Sequence, residues 1–265
     1  MKPLYVLKIG GCVITEKDAY AVARKDVIER IVGEVVSAKS KHGFDLVFIN
    51  GAGSFGHAPV KKYGIKDGVK NQEHVLGVAA VHKHVEDLNR MVWDAFDARN
   101  VAAVPVHPMS FVIANNGKFS LDTKIIREML KRGIIPMLYG DIVMDAVRGS
   151  SIISGDDIAP MLGTELKADR VLMGTNTNGI FDKDPKKFKD ARQIPEVNNS
   201  NWKDVLETTG ESSETDVTGG MRGKLGKLVE YANGVECIIY DAQVSGSTER
   251  VLSGATLGTT LRVSL

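Results

Sequence analysis

The sequence predicts an α/β fold in which helices cover both faces of a largely parallel sheet. Short apolar runs typical of buried strands alternate with longer amphipathic segments typical of helices along all 265 residues. Glycine-rich turns follow several of the apolar runs, and in open α/β sheets ligands bind beyond the carboxyl ends of the strands. These observations predict a ligand site at that edge of the sheet.

Composition and charge exclude several classes of protein. With 43% hydrophobic and 25% charged residues, the composition is typical of a soluble globular protein. The chain is long enough to bury a substantial core, as one large domain or two closely packed lobes. The net charge is only +1, from 34 basic and 33 acidic side chains, so nothing points to nucleic acid or to an anionic membrane surface.

The two cysteines and the chain start indicate a cytoplasmic protein. Cys12 and Cys237 are too few for a disulfide framework and lack metal-ligand spacing, which favours a reducing compartment. Met1 leads into a predicted strand within a few residues, which leaves no room for a signal peptide. No apolar run approaches the ~20 residues that a membrane-spanning helix needs.

The first apolar run, Leu4–Ile9, predicts a buried strand that ends at Gly10 and Gly11. Lys8 is unusual near the end of such a strand, because a lysine is rarely buried without an anionic partner. The two glycines leave room beside it for phosphate oxygens.

The following segment predicts two helix starts. Thr15 and Asp18 have the spacing of a capping box, which predicts a helix that begins at Thr15. From its spacing alone, Lys17 is predicted to be a solvated surface lysine. Residues 25–41 predict an amphipathic helix that Gly43 ends.

The second strand, predicted at 45–49, leads into a glycine-rich loop with Gly51, Gly53, Gly56 and His57. Glycines let the backbone approach a ligand closely and present N–H groups that no side chain covers. A histidine adds a donor that is charged below a pH of about 6.5. The loop therefore predicts a site for a phosphorylated small molecule, with a purely structural turn as the alternative.

The same loop matches the dinucleotide fingerprint Gly51-x-Gly53-x-x-Gly56. That motif requires a helix that opens directly at its last glycine. The residues from 58 to 71 contain Pro59 and two glycines and predict no helix before Gln72, so we disfavour dinucleotide binding.

Residues 72–98 predict a long helix with valines at helical spacing. His74, His82 and His84 lie along it, and we interpret them as surface or hydrogen-bonded histidines rather than zinc ligands, because no ligand spacing connects them to a carboxylate.

The middle of the chain places two adjacent acids at a helix start. Strands are predicted at 101–106 and 134–139, a helix at 123–132 and a hairpin at 142–153. Asp156 and Asp157 follow, before a helix that reaches about residue 168. These acids either cap the helix or, at the end of a strand, orient lysines or hold Mg²⁺, and the spacing leaves both readings open.

The last third predicts a second anion-binding turn. A strand at 170–174 ends at Thr175 and Asn176, and helices follow at 201–208 and near 246, with strands at 236–240 and 259–263. Gly219 and Gly220 precede a helix that carries Lys224. This is not a Walker A loop, but glycines before a helix with a lysine suit an anion.

All these turns fall at strand ends, which predicts one shared site. Several glycine loops, lysines and an acid, without a Walker motif, indicate phosphoryl transfer by positioning and charge.

At this point the chain resembles a known family. The segments Lys8-Ile9-Gly10-Gly11, Ser154-Gly155-Asp156-Asp157 and Asp184-Pro185 resemble the amino acid kinase superfamily. Within it, the residues at 51–57, 139–141 and 216–220 resemble the isopentenyl phosphate kinases, and the likeness extends from residue 4 to about 263.

The resemblance implies the amino acid kinase fold, an open three-layer αβα sandwich. It implies a phosphotransferase that uses ATP with Mg²⁺ to convert isopentenyl phosphate to isopentenyl diphosphate, in the archaeal-type mevalonate route of isoprenoid biosynthesis. It also implies a homodimer of one domain, residues 1–265, with an acceptor lobe at 1–165 and a nucleotide lobe at 166–265. We assign no protein ligand to a metal.

Four catalytic residues are implied by the resemblance. Lys8 would lie between the β- and γ-phosphates, and Lys17 would contact the transferring phosphoryl group. His57 would donate a hydrogen bond to the acceptor's phosphate. Asp156 would orient the lysines. A phosphate monoester is already a nucleophile at neutral pH, because its second pKa is near about 6, so no general base is needed.

Further binding residues follow from the same resemblance. The backbones of Ala52 and Gly155 would bind the acceptor, and Val78 and Val81 would line an apolar pocket for its prenyl tail, with small side chains that would admit geranyl phosphate. The residues implied in ATP binding are Lys8, Gly10, Gly11, Cys12, Gly53, Thr175, Asn176, Gly219, Gly220 and Lys224.

Some residues depart from the family pattern, and they leave alternatives open. Cys12 stands where serine is usual, and Asn176 and Asn178 stand where aspartates are usual, which leaves the nucleotide preference open. The alternative function is a related kinase for a phosphonate such as fosfomycin, an amino acid or carbamate, although His57 favours a phosphate or phosphonate. A non-catalytic sensor would be expected to lose Lys8 or Asp156.

Overall fold

The fold is built on an eight-stranded sheet, with the strand order β12-β14-β13-β9-β1-β2-β6-β3. A computed structural model describes residues 2–16, 19–185, 187–209 and 220–265. All neighbouring strands of this sheet run parallel except β13 and β14, so the predicted largely parallel sheet is confirmed. Its strands are β1 (Leu4–Ile9), β2 (Asp45–Asn50), β3 (Ala103–Pro105), β6 (Ile135–Tyr139), β9 (Arg170–Thr175), β12 (Glu196–Asn198), β13 (Glu236–Asp241) and β14 (Thr259–Arg262).

Helices cover both faces of the sheet, which gives the expected three layers. Apolar side chains of α1, α2, α4 and α9 pack on one face, and those of α5, α6, α7 and α8 pack on the other. The helices are α1 (Gly11–Ile14), α2 (Lys25–His42), α3 (Gly53–Tyr63), α4 (Gln72–Asp97), α5 (Lys124–Lys131), α6 (Gly155–Leu166), α7 (Trp202–Thr208), α8 (Gly220–Tyr231) and α9 (Ser247–Leu252).

Strand alternation decides which face each side chain of β1 and β2 reaches. Val6 packs on the α6 face and Leu7 on the α4 face, so Lys8 lies on the α6 face by the period-two rule. In β2, Ile49 packs on the α6 face, and Asn50 accordingly lies on the side of α4. These two central strands are buried on both sides, as is usual for parallel sheets.

A smaller sheet packs on the α6 face. Its strand order is β5-β4-β7-β8, and its antiparallel pair β7–β8 turns at 146–148, which confirms the predicted hairpin. The sequence reading missed the second hairpin, β4–β5, although its turn contains Asn116-Gly117, a strong hairpin signal. The remaining strands are β4 (Val112–Asn115), β5 (Lys118–Leu121), β7 (Asp141–Asp145), β8 (Gly149–Ile153), β10 (Ile180–Phe181) and β11 (Gln193–Ile194).

The prediction that no helix begins before Gln72 was wrong. Helix α3 begins at Gly53 and continues through Pro59 to Tyr63. Glycine and proline are poor helix formers, but Phe55 and Val60 are buried against the core and stabilise the helix by tertiary packing. The glycine loop therefore does open a helix, and it is the remainder of the site that identifies its ligand.

The predicted helix start at Thr15 was also wrong. Thr15 ends α1 and forms an isolated bridge with Ala23, while α2 begins only at Lys25. Its hydroxyl donates to the carbonyl of Gly11 and accepts the N–H of Ser54, so it ties two loops together instead of capping a helix. Asp18, the predicted capping partner, lies outside the described residues.

Within the described ranges, no helix is both long enough and apolar enough to cross a bilayer.

Candidate active site

Three helices begin with a glycine at the carboxyl edge of the sheet. Gly11 opens α1 after β1, Gly53 opens α3 after β2, and Gly155 opens α6. In the described part of the chain, Gly220 is the first residue of α8. Helix N-termini carry unpaired N–H groups and a partial positive charge, so α3 and α6 present donors to an anion at this edge.

A buried carboxylate shared by two lysines lies at the centre of this edge. Lys8 Nζ donates to Asp156 Oδ1 at 2.8 Å, and Lys224 Nζ donates to the same oxygen at 2.6 Å. The three residues are only 5%, 6% and 8% exposed for Lys8, Asp156 and Lys224. The expectation that Lys8 has an anionic partner is met by Asp156, 148 residues away in sequence.

The charges in this cluster favour an anionic ligand. Burial alone would raise the pKa of the Asp156 carboxyl, but the ammonium groups of Lys224 and Lys8 outweigh it and hold that pKa far below its ordinary value. Burial likewise opposes the charged form of Lys8, and Asp156 nevertheless raises the pKa of that lysine. With both lysines protonated, the cluster has one positive charge in excess, which a phosphate group would neutralise.

The structure gives the two adjacent acids different environments. Asp157 accepts the N–H and hydroxyl of Ser154 in a capping box at the start of α6, and Lys227 Nζ donates to it at 2.6 Å. Asp156 instead forms ion pairs with Lys8 and Lys224. The capping reading therefore applies to Asp157 and the lysine-orienting reading to Asp156.

The loops after β1 and β2 touch backbone to backbone. A Cβ on Gly11 would lie 2.2 Å from the amide nitrogen of Gly53, and one on Gly51 would lie 2.4 Å from the amide nitrogen of Gly11. Gly53 has a φ of +51°, and a Cβ there would lie 2.3 Å from Thr15 Oγ1. No side chain fits between the loops, so glycine is required for this close approach.

The loop that follows β6 joins the same site. A Cβ on Gly140 would lie 3.3 Å from the amide nitrogen of Gly155, and one on Gly155 would lie 3.2 Å from Lys8 Cε. Gly140 also donates its N–H to the carbonyl of Asn50. The start of α6 is thus enclosed between Lys8 and the end of β6.

The other residues implied by the resemblance lie around this centre. His57 is half-buried on α3, and Ala52 precedes that helix. Cys12 is exposed on α1, where its Sγ lies 3.2 Å from the position of a Cβ on Gly10. Thr175 is buried at the end of β9, next to Asn176.

Two residues of the expected site cannot be placed. Lys17 and Gly219 lie outside the described ranges, so their implied roles stay predictions.

The expected acceptor valines belong to an apolar cluster between α3, α4 and the end of β6. Val81 is 2% exposed, and Val78 is partly buried beside it. The buried members of this cluster are Val60, Ile65, Val81, Val85, Tyr139 and Ile142. The packing of Val81 agrees equally with a core role and with a pocket wall.

Sequence reasoning missed the pair formed by His82 and Asp141. His82 Nδ1 lies 3.0 Å from each carboxylate oxygen of Asp141. The sequence does indicate that His82 faces the core, because it lies four residues after Val78 and three before Val85, on the inward stripe of α4. The reading of the histidines as hydrogen-bonded fits His82, but its carboxylate partner was not foreseen.

Three comparisons with known proteins agree with this geometry. The amino acid kinase family model matches residues 3–241. The isopentenyl phosphate kinase of Methanothermobacter thermautotrophicus is 38% identical over 95% of this chain and 96% of that protein. That of Methanocaldococcus jannaschii is 32% identical over 98% of this chain and 99% of that protein. A solved isopentenyl phosphate kinase structure superposes with a TM-score of 0.84 at 34% identity and covers 97% of this chain and 99% of that one.

Proposed function

Because the chain belongs to the amino acid kinase family and, within it, to the isopentenyl phosphate kinases, we propose that it phosphorylates isopentenyl phosphate to isopentenyl diphosphate with ATP. The observation that carries the proposal is the buried Lys8–Asp156–Lys224 cluster at an edge lined by glycines and helix N-termini. We place the reaction in the archaeal-type mevalonate route of isoprenoid biosynthesis.

The chemistry requires charge compensation more than proton transfer. A phosphate monoester is largely dianionic at neutral pH, so its oxygen attacks without a general base. The barrier comes from bringing two anions together, and fixed cations and N–H donors lower it in a water-poor site. Lys8 and Lys224 supply the cations, and Asp156 holds both at one point.

The remaining catalytic assignments are parts of the same proposal. Lys8 lies between the β- and γ-phosphates, and Lys17 contacts the phosphoryl group in transfer. His57 donates to the phosphate of the acceptor, which the backbones of Ala52 and Gly155 also bind. The position of Gly155 at the start of α6, beside Lys8, supports this arrangement.

The nucleotide occupies the other side of the site in this proposal. Its contacts come from residues at the strand ends and on α8, in a C-terminal lobe at 166–265 that faces an acceptor lobe at 1–165. The proposed ATP contacts are Lys8, Gly10, Gly11, Cys12, Gly53, Thr175, Asn176, Gly219, Gly220 and Lys224.

Magnesium would reach the site on the phosphates of ATP. The carboxylates of Asp156 and Asp157 are both engaged by lysines, and within the described ranges no three His, Cys, Asp or Glu side chains form a metal site. Protein ligands therefore do not fit a resident Mg²⁺. An ion that arrives with ATP would supply neutralisation of phosphate charge.

The prenyl tail is proposed to enter beside the apolar cluster that contains Val78 and Val81. Small side chains at these positions would admit geranyl phosphate as well. A homodimer and a cytoplasmic location are the other parts of the proposal. The homodimer rests on the family resemblance, and the location rests on the low cysteine content of the sequence.

ADP release with Mg-ATP and isopentenyl phosphate tests the proposal. We expect turnover by the wild-type protein and a loss of about 100-fold or more in kcat/KM for His57→Ala, since that variant lacks a donor to the acceptor's phosphate. His42→Ala, an exposed histidine near the end of α2, is the matched control and should keep full activity. Turnover that ignores the His57 substitution would leave the kinase assignment standing and remove the role of His57.

A further inference from the structure

The inward face of α4 carries two polar residues among its valines. His82 and Asn89 are seven residues apart, so they lie on the same face two turns from each other. Asn89 donates to Asn50 at the end of β2, and His82 contacts Asp141 just after β6. The helix therefore docks on two strand ends of the active site by polar contacts.

The His82–Asp141 pair is well formed and mostly shielded from water. The carboxylate of Asp141 has no exposed side-chain surface, and the His82 side chain is 26% exposed. Asp141 also accepts the backbone N–H of Ile142 at 2.8 Å. The Nδ1 of His82 faces both carboxylate oxygens, so a protonated ring donates to a group that would otherwise be a buried, unneutralised anion.

Backbone contacts place this pair beside the proposed acceptor phosphate. Asp141 is adjacent in sequence to Gly140, which abuts the amide nitrogen of Gly155 at the start of α6. Gly155 in turn abuts Lys8. Asp141 is thus one residue along the chain from the glycine that abuts the start of α6, where the acceptor phosphate is proposed to bind.

We propose that His82 is a positioning residue whose proton neutralises Asp141 and thereby permits the anionic acceptor to bind. The inference deepens the proposed function and rests on it. Loss of the proton from His82 leaves a net negative charge beside the acceptor phosphate. Acceptor binding then weakens, while ATP binding and the chemical step change little.

The groups around His82 agree with this role. The hydrogen bond to Asp141 raises the pKa of His82 above its ordinary value, against an opposing effect of partial burial, and Glu86 on the same helix raises it further. The ring of His107 lies 5.7 Å from that of His82 and shares a hydrogen bond with the hydroxyl of Tyr139. His57, on the neighbouring helix α3, is a further titratable group on the acceptor side.

Steady-state kinetics with a charge rescue test the proposal. His82→Gln leaves Asp141 unneutralised, so we expect KM for isopentenyl phosphate to rise about tenfold, equivalent to about 1.4 kcal/mol, with KM for ATP and kcat within about threefold. The double variant His82→Gln with Asp141→Asn is neutral again and should restore the acceptor KM. His84→Gln, two residues along α4 and hydrogen-bonded to the Ala80 carbonyl and Tyr20, should change nothing. A double variant as impaired as the single one would overturn the proposal.

The pH profile gives a second readout. Above pH 6.5 the acceptor is already largely dianionic, since its second pKa is near about 6. Wild-type KM for the acceptor should therefore rise as His82 loses its proton at higher pH. The double variant keeps His57 but should lack the part of the rise that belongs to His82. Identical pH profiles for the wild type and the double variant would contradict the inference.

An NMR titration separates this inference from the function on which it rests. The ring signal of His82 is followed against pH with and without inorganic phosphate as the probe. Phosphate should move the titration of His82 to higher pH, whatever the natural acceptor proves to be. If isopentenyl phosphate is not turned over, the proposed function fails; if phosphate leaves the His82 titration unchanged, the positioning role fails.

Discussion

The two faces of the sheet bring different kinds of charge to the same edge. On the α6 face, Lys8, Lys224 and Asp156 are nearly fully buried. Asp156 raises the pKa of Lys8, and the two lysines hold the pKa of Asp156 far below its ordinary value, whereas burial lowers the pKa of Lys224. On the α4 face, His82 and Asp141 form a pair whose net charge depends on one imidazole proton. The Lys8–Asp156 pair thus stays charged around neutral pH, whereas the charge of the His82–Asp141 pair changes with the proton on His82.

This difference matches the ligand that we propose for each face. A polyphosphate nucleotide is strongly anionic at any pH near neutrality, so fixed cations suit it. A monoester changes between monoanion and dianion near pH 6, and a histidine pair changes charge in a nearby range. The comparison predicts that substitutions on the α6 face reduce catalysis, and that substitutions on the α4 face change the acceptor KM and its pH dependence.

The largest effect is expected for Asp156→Asn. The amide cannot neutralise two buried ammonium groups, so Lys8 and Lys224 lose their common anchor. We expect kcat to fall by about 100- to 1,000-fold, in line with the loss of preorganised charge at a reaction centre. Steady-state ADP release measures it, and circular dichroism verifies the fold.

Asp157→Asn is the matched control for that variant. It alters the neighbouring carboxylate, which caps α6 and binds Lys227. A loss of about 0.5–2 kcal/mol in the free energy of unfolding is expected, with most of kcat retained. Equal losses of kcat in the two variants would contradict the distinct roles given to these acids.

A substitution at the contact between the loops after β1 and β2 should have an intermediate effect. Gly53→Ala places a methyl group 2.3 Å from Thr15 Oγ1, at a backbone φ of +51°, so the glycine loop must move away from α1. We expect a loss of about 1–3 kcal/mol in the free energy of unfolding and a parallel loss of kcat/KM for both substrates. Chemical denaturation and kinetics measure the two quantities.

Gly226→Ala provides the steric control. A Cβ at Gly226, within α8, meets no atom within 4 Å. Alanine is a better helix former, so this variant should be stabilised by about 0.5–1 kcal/mol. A stable, active Gly53→Ala protein would show that the close approach of the loops is not required.

The smallest effect concerns stability against pH on the α4 face. Because the pKa of His82 is raised in the folded protein, its pairing stabilises the fold fully below the unfolded value of about 6.5. That contribution is lost as pH rises through the folded pKa. The difference in unfolding free energy between wild type and His82→Gln should therefore shrink from pH 6 to pH 9. A difference that grows with pH would reverse the sign of the argument.

The sequence predicted the scaffold better than the details of the site. Period-two and period-3.6 patterns identified β1, β2, α2 and α4, because buried strands and amphipathic helices have strong local signals. Helix α3 was missed, since its glycines and Pro59 oppose a helix locally and only packing overrides them. The prediction of a helix start at Thr15 was wrong for a similar reason, because the Thr15 hydroxyl accepts a hydrogen bond from the loop that follows β2.

The site depends on contacts between distant parts of the chain. The sequence indicated that Lys8 needs an anion, and glycine loops at strand ends predicted a common edge. It did not indicate that Lys224 would share the same oxygen of Asp156, because that contact requires α8 to pack beside α6. His82 was passed over because an isolated histidine on a helix carries no local sign of its partner.

The most direct test of the account is to identify the product. Phosphorus NMR would monitor reactions of Mg-ATP with each candidate acceptor in turn. With isopentenyl phosphate, we predict signals of ADP and the two coupled signals of an alkyl diphosphate. The two products should increase at the same rate. Fosfomycin and glutamate should give no phosphorylated product. A new phosphonate or acyl phosphate signal, with none from isopentenyl diphosphate, would contradict the function proposed for this site.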